Sequence, residues 1–213
     1  MLKTFFFAIA LLDTLLLLFT GIYENNISAT GQGIGYLFFM TVIYLVVSRE
    51  VSFDYKAPLY LKFVFIGWLF AMIDEMVFWT NNPLFEGVSL GGDLLLTTGS
   101  YLLAHTGWYF VHKRYRFSWF EALITGGIAL LIGEEIFGGF MLVSPVWGIV
   151  LLPSFIFMHG FHMVMPPFLL RNELCEVGRK STIPKYFWGI VFPLLGYIVG
   201  AVFFALGVSL GIN

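Results

Sequence analysis

Long apolar runs separated by short polar loops constrain this chain more than any other feature. Each run has roughly twenty residues, the length at which a helix crosses the hydrocarbon core of a bilayer. The chain is 59% hydrophobic and only 11% charged, whereas soluble domains carry about 25% charged residues. The runs therefore predict membrane-spanning helices. We expect seven spans, at residues 4–23, 33–48, 59–79, 94–112, 119–141, 146–169 and 186–210.

The predicted fold class is an all-α integral membrane protein, a bundle of about seven helices that forms a single transmembrane domain over residues 1–213. Almost all basic residues fall in loops on one side of such a bundle, and Lys62 can extend to that side from span 3. By the positive-inside rule, that side and the N-terminus are cytoplasmic. We expect a multi-pass protein of the cell membrane. The loop residues on the basic side are Lys3, Arg49, Lys56, Lys113, Arg114, Arg116, Arg171, Arg179, Lys180 and Lys185.

Two acidic pairs lie inside the apolar runs, Asp74-Glu75 in span 3 and Glu134-Glu135 in span 5. An ionisable group at hydrocarbon depth costs at least ~2.5–3.5 kcal/mol on insertion scales. The acids must therefore be paired, protonated, hydrated in a cavity or bound to a cation. Because the non-basic side of the predicted bundle offers no Lys or Arg, we interpret them as a functional site.

An internal repeat relates these acids to two histidines. Shifting the chain by 60 residues places the pair 74–75 on the pair 134–135, and a shift of 54 places His105 on His159. Spans 3–4 and 5–6 are thus predicted to be duplicated helical hairpins. At 1.5 Å per residue, the acids lie ~6–10 Å below the outer surface and the histidines ~16–20 Å below it. The prediction is an acidic layer and a histidine layer roughly ~9 Å apart.

Buried acids beside histidines are typical of proton-transfer sites. Our leading hypothesis is an intramembrane enzyme acting on a membrane lipid or another lipid-soluble small molecule. Glu134 or Glu135 is the predicted general acid or base, and Asp74 or Glu75 is its partner. A histidine is the second proton-transfer group. The predicted catalytic set is Glu134, Glu135, Asp74, Glu75, His159 and His105.

Two alternatives use the same residues differently. In a proton- or cation-coupled transporter the acids are the coupling site, and kinks at Pro153 and Pro193 assist gating. A non-catalytic subunit of a larger membrane complex is the second alternative. Carboxylates and histidines on several helices are also the ligand types of dimetal bundles, although the Glu-x-x-His motif of those bundles is absent. The sequence specifies no cofactor; a metal site would use Glu75, Glu135, His105 and His159.

Other features limit the partners of the chain. A net charge of −2 without a long basic tract argues against nucleic-acid binding. The single cysteine, Cys175, excludes an internal disulfide and a cysteine-based metal cluster. Glycines spaced four apart in the last span, at 196 and 200 and at 207 and 211, allow close approach of a second helix. That helix belongs either to the same chain or to a homo- or hetero-oligomer.

Overall fold

The computed structural model describes residues 2–25, 27–49, 55–78, 89–133, 152–175 and 182–210. These residues form eight helices, with no β-strand among them, so the predicted all-α class is confirmed for the described part of the chain. The helices are α1 (Leu2–Tyr23), α2 (Ile27–Ser48), α3 (Leu59–Phe78), α4 (Leu90–Arg114), α5 (Trp119–Leu131), α6 (Leu152–Leu169), α7 (Arg171–Cys175) and α8 (Pro184–Ser209).

The connection between α1 and α2 is shorter than the sequence predicts. A loop was expected over residues 24–32, but α2 already begins at Ile27. Asn25 adopts a left-handed backbone conformation, with φ 53°. Because asparagine tolerates this conformation at a helix end, the chain reverses within a few residues. The polar segment that follows then continues as helix rather than loop.

Side-chain caps set the beginnings of α4 and α5. Ser89 precedes α4, and its hydroxyl accepts a hydrogen bond from the Gly92 amide at 3.1 Å. Ser118 and Glu121 form a capping box at the start of α5, where each side chain accepts a bond from the other residue's amide. Two residues with π-helical hydrogen bonding, 132 and 133, follow α5. The remainder of predicted span 5 lies outside the described residues.

Prolines lie in both α6 and α8. Pro153 is the second residue of α6 as described, a position where proline breaks no hydrogen bond within the helix. The residues that precede α6, 134–151, lie outside the described part of the chain, so a kink at Pro153 stays a prediction. Pro193 does lie inside α8 as expected. The interior prolines of α6 are instead Pro166 and Pro167.

The glycines of α8 pack against α4 of the same chain. A Cβ atom on Gly196 would overlap the carbonyl of Leu103, and one on Gly200 would overlap the backbone of Ser100. Because only glycine permits this backbone approach, these two positions contribute to internal packing. Gly211, a member of the second predicted glycine pair, lies outside the described residues, so an oligomer contact through that pair stays a prediction.

Ion pairs join several helix ends. Lys62 of α3 contacts Glu173 of α7 at 2.5 Å. Lys185 of α8 binds Glu121 of α5 at 2.8 Å and the carbonyl of Arg116 at 3.1 Å. These contacts fix how far each helix slides along its neighbour, and so they determine which interior side chains meet.

Among the described residues, one helix is both long enough and apolar enough to cross a membrane. It runs over Pro184–Gly207, with 24 residues and a mean hydropathy of 2.3. Three shorter apolar helices cover Phe7–Tyr23, Thr30–Val46 and Trp119–Leu131. By length and composition, this one helix is weak support for membrane association. It does not by itself support the seven predicted spans.

Candidate functional site

A cluster of polar side chains lies in the interior where α3, α4 and α6 meet. The three histidines of the cluster have 0% exposed surface and Asp74 has 4%. Groups of this kind are rarely buried unless they interact with one another. The cluster comprises Asp74 and Glu75 of α3, Tyr101 and His105 of α4, and His159 and His162 of α6.

Two of the histidines are hydrogen-bonded to each other. The His105 Nε2 atom lies 3.1 Å from the His162 Nδ1 atom. Either nitrogen can donate, but the other must accept with a lone pair. At most one of these two imidazoles can therefore be in the doubly protonated form. A proton moved along this bond passes from α4 to α6 or in the reverse direction.

Asp74 extends this pair at its other end. Its Oδ2 atom lies 4.0 Å from His162 Nε2, close enough for an ion pair but too long for a direct hydrogen bond. His162 thus lies between Asp74 on one side and His105 on the other. The resulting chain, Asp74–His162–His105, connects α3, α6 and α4. We refer to it as the Asp–His–His chain.

The contact between Lys62 and Glu173 explains why Asp74 and His162 meet. Asp74 follows Lys62 by 12 residues, and His162 precedes Glu173 by 11 residues. α3 runs opposite to α6 and α7, and residues within each helix rise about 1.5 Å apart; Leu170 is the one turn residue in the stretch 162–173. Joining them at Lys62 and Glu173 therefore brings Asp74 and His162 to the same level.

Gly67 of α3 makes room for the His105 ring. A Cβ atom at position 67 would overlap the ring at its Nδ1, Cγ and Cε1 atoms. The imidazole is therefore confined between α3 on one side and His162 on the other.

Adjacent acids on α3 reach different partners. Glu75 accepts a hydrogen bond from the Tyr101 hydroxyl at 2.6 Å, while Asp74 faces His162. Side chains of neighbouring residues in a helix point about 100° apart, so this division follows from the sequence. The Tyr101 ring also packs edge-on against His162, with centroids 5.2 Å apart and an interplanar angle of 85°.

Three of the six predicted catalytic residues, Asp74, Glu75 and His105, make these contacts. His159 is fully buried on α6, one turn before His162. Glu134 and Glu135 lie outside the described residues. Sequence reasoning left His162 and Tyr101 out of the predicted set. His162 follows His159 by three residues, and Tyr101 precedes His105 by four. Residues at these spacings share a helix face, and this was the sequence signal that could have identified His162 and Tyr101.

The described residues do not assemble the predicted metal site. No group of three or more His, Cys, Asp or Glu side chains in this part of the chain is placed to hold a metal ion. Glu75 is bonded to Tyr101 and His105 is bonded to His162. The fourth predicted ligand, Glu135, lies outside the described residues.

Other buried titratable groups lie away from this cluster. His112 of α4 packs against Trp108, with ring centroids 4.4 Å apart, and against Phe117 at 5.0 Å. Asp13 of α1 and Asp93 of α4 are also buried. Burial alone therefore does not distinguish the candidate site; the mutual contacts of its members do.

Comparisons with known proteins assign no class to this fold and site. No family model matches the chain. No curated protein and no solved structure matches it either.

Proposed function

We propose that the chain is a multi-pass membrane protein whose bundle encloses a proton-transfer site. The distribution of side chains supports this proposal. Large apolar residues face outward on several helices: Phe19 is 68% exposed, Phe65 57% and Phe203 63%. The histidines and Asp74 are buried instead. An apolar exterior around a polar interior suits hydrocarbon, because a soluble protein rarely exposes such extensive apolar surface.

The seven-span arrangement with a cytoplasmic N-terminus is part of the proposal. The Lys185 ammonium, near the start of α8, donates to the Arg116 carbonyl in the basic loop between α4 and α5. Phe63, next to Lys62 near the start of α3, packs against His112 near the end of α4, with ring centroids 5.8 Å apart. Clustering of basic groups at one end of the bundle is what the positive-inside rule requires. The cell membrane is the proposed location.

Within this bundle, the leading proposal is an intramembrane enzyme acting on a membrane lipid or another lipid-soluble substrate. The observation that carries it is the Asp–His–His chain, because its groups can accept and release a proton. His105 and His162 exchange a proton along their hydrogen bond, and Asp74 stabilises the proton on His162. A buried chain of this kind serves proton transfer to or from a carbon or oxygen atom of the substrate.

Glu134 and Glu135 retain their proposed role as the acid or base that meets the substrate. They follow Gly133, which lines an apolar groove of about 270 Å³ together with Tyr197 and Ala201 of α8. Tyr197 in turn lies 6.0 Å from Tyr101, measured between ring centroids. This proximity supports a lipid-facing approach to the cluster.

A proton-coupled transporter is the second candidate. The observation that favours it is the complete enclosure of His105 and His162 on two separate helices. Movement of α6 would break their hydrogen bond, and Pro166 and Pro167 lie one turn beyond His162. Prolines weaken a helix locally and permit such movement. Loading and release of a proton would then accompany the opening of the bundle.

The proton chain itself can be tested without a known substrate. The protein contains only four histidines, so ¹⁵N-histidine labelling in lipid nanodiscs gives a simple spectrum. We expect a scalar coupling between one nitrogen of His105 and one of His162, transmitted through their hydrogen bond. The coupling should vanish in His162→Gln and persist in His112→Gln, which alters a buried histidine elsewhere on α4. Persistence of the same coupling in His162→Gln would disprove the assignment.

Deuterium incorporation separates the enzyme from the transporter. Purified protein is incubated with a membrane lipid extract in D₂O, and lipids are analysed by mass spectrometry. An enzyme that protonates its substrate produces a deuterated or chemically altered lipid, and Asp74→Asn and His162→Gln abolish it while His112→Gln does not. A transporter leaves all lipids unchanged, but proteoliposomes that contain it take up protons, which a pH-sensitive dye inside them reports. Absence of both activities contradicts both candidates and favours the non-catalytic subunit.

A further inference from the structure

Tyr101 contacts both parts of the cluster at once. Its hydroxyl donates to Glu75 Oε1 at 2.6 Å, and its ring lies edge-on against His162. A distance of 2.6 Å is within the range of the strong O–H···O⁻ bonds that phenols and hydroxyls make to carboxylates. Tyr101 is also almost fully buried, with 1% exposed surface. Its position is therefore fixed on the ring side and on the hydroxyl side.

Because of this double contact, the two adjacent acids have different partners. Glu75 is held on the side of α4 by the Tyr101 hydroxyl, whereas Asp74 faces His162 on α6. A carboxylate anchored by a short hydrogen bond loses freedom to reorient. The neighbouring carboxylate, 4.0 Å from His162 Nε2, needs only a small side-chain shift to make a direct hydrogen bond.

We infer that Tyr101 is a positioning residue that separates the roles of Asp74 and Glu75. It anchors Glu75 and holds the His162 ring so that Asp74 exchanges with His162 along the Asp–His–His chain. The inference rests on the proposed proton-transfer function, and it extends that function to a residue outside the predicted catalytic set. No bond other than O–H and N–H bonds is made or broken.

A matched pair of variants tests this inference. Tyr101→Phe removes the hydroxyl but keeps the ring against His162. Tyr60→Phe removes a hydroxyl that bonds Thr106 at 3.1 Å between the same two helices, so it reproduces the loss of one α3–α4 hydrogen bond away from the cluster. Infrared spectra of both variants are recorded in nanodiscs. The bands of Glu75 and Asp74 are assigned by their loss in Glu75→Gln and Asp74→Asn.

We expect Tyr101→Phe to shift the Glu75 band, because a hydrogen bond to a carboxyl oxygen changes its stretching frequency. Tyr60→Phe should leave both bands in place. An unchanged Glu75 band in Tyr101→Phe, or an equal shift in Tyr60→Phe, would overturn the inference. Deuterium incorporation, or proton uptake if the protein transports, should fall about 10-fold in Tyr101→Phe because small displacements of proton-transfer groups slow reactions steeply.

The two readouts fail independently. If the wild type neither deuterates a lipid nor takes up protons, the proposed function is wrong, yet a shifted Glu75 band still establishes the anchoring by Tyr101. If the wild type is active and the Glu75 band does not shift in Tyr101→Phe, the proposed function is supported and the positioning role of Tyr101 is wrong.

Discussion

The two hairpins that the sequence presents as copies are closed by different contacts. In α3–α4, polar side chains reach from one helix to the other. Besides the bond between Tyr101 and Glu75, the Trp68 indole donates to the Thr98 hydroxyl at 3.2 Å and Tyr60 bonds Thr106 at 3.1 Å. This hairpin is thus joined at several levels by hydrogen bonds.

In α5–α6, glycines bring backbone against backbone instead. A Cβ atom on Gly127 would overlap the carbonyl of Ile156, and one on Gly160 would lie 2.6 Å from the carbonyl of Leu123. Neither contact leaves room for a side chain. Helix packing through small residues is common in membranes, where close van der Waals contact drives association.

The difference shows that two helix pairs with similar apolar patterns need not make the same polar contacts. The 54-residue shift that places His105 on His159 also places Tyr101 on Phe155 and Trp108 on His162. Phe155 has no hydroxyl with which to anchor an acid. The partner of His105 is therefore a residue that the repeat does not duplicate. These contacts show no repeat, and a duplicated hairpin stays a prediction.

The largest effect is expected for Gly127→Ala, because the added methyl group meets backbone, which cannot move aside locally. We expect a loss of about 2–3 kcal/mol in the free energy of unfolding, as for overpacked interiors. Reversible unfolding in mixed detergent measures it. Gly99→Ala is the control, since a Cβ atom there has nothing within 4 Å; alanine should be neutral or stabilising there. Equal losses in both variants would contradict the proposed close packing of α5–α6.

In the α3–α4 hairpin, Gly67→Ala should lower the free energy of unfolding less than Gly127→Ala does. It should impair the Asp–His–His chain more. The added methyl group meets the His105 ring, which can rotate away. Rotation sacrifices the bond to His162, so we expect a loss of about 1–2 kcal/mol. The coupling between His105 and His162 should disappear from the ¹⁵N spectrum. Retention of that coupling with normal stability would mean that His105 is not confined by α3.

Much of the helical architecture follows from the sequence, because apolar runs end where polar loops begin. The bounds of α3, Leu59–Phe78, are within one residue of the predicted span. The beginning of α2 was missed by six residues, since its first turns carry Ser, Thr, Gln and Gly. Those residues are typical of loops, and here the tight turn at Asn25 overrides their local preference.

The candidate site was only partly predictable. The cost of burying charge identified Asp74 and Glu75, but periodicity on one helix does not fix the rotation of its neighbours. It could not show that His105 pairs with His162 rather than with His159. Tyr101 was missed because an aromatic residue in an apolar helix is more often a packing residue. These choices depend on contacts between helices, which the sequence encodes only indirectly.

The ion pair between α3 and α7 should have a moderate effect. Glu173→Gln leaves Lys62, which is 7% exposed, without its carboxylate. Because Glu173 itself is 33% exposed, we expect a loss of about 1 kcal/mol, between the values for surface and buried pairs. The double variant Lys62→Met with Glu173→Leu should recover stability, since apolar replacement of both partners is often neutral or stabilising. A double variant less stable than Glu173→Gln would contradict this account of the ion pair.

Tyr60→Phe should have the smallest effect. Thr106 keeps its hydrogen bond to the Leu102 carbonyl at 2.8 Å when the Tyr60 hydroxyl is removed, so we expect a loss of about 0.5 kcal/mol. Chemical unfolding of the variant and wild type side by side measures it. A loss above that of Gly67→Ala would mean that the stability of α3–α4 depends mainly on this one hydrogen bond. A small loss implies instead that the stability of α3–α4 is spread over many weak bonds, so that its interior can exchange protons without the hairpin separating.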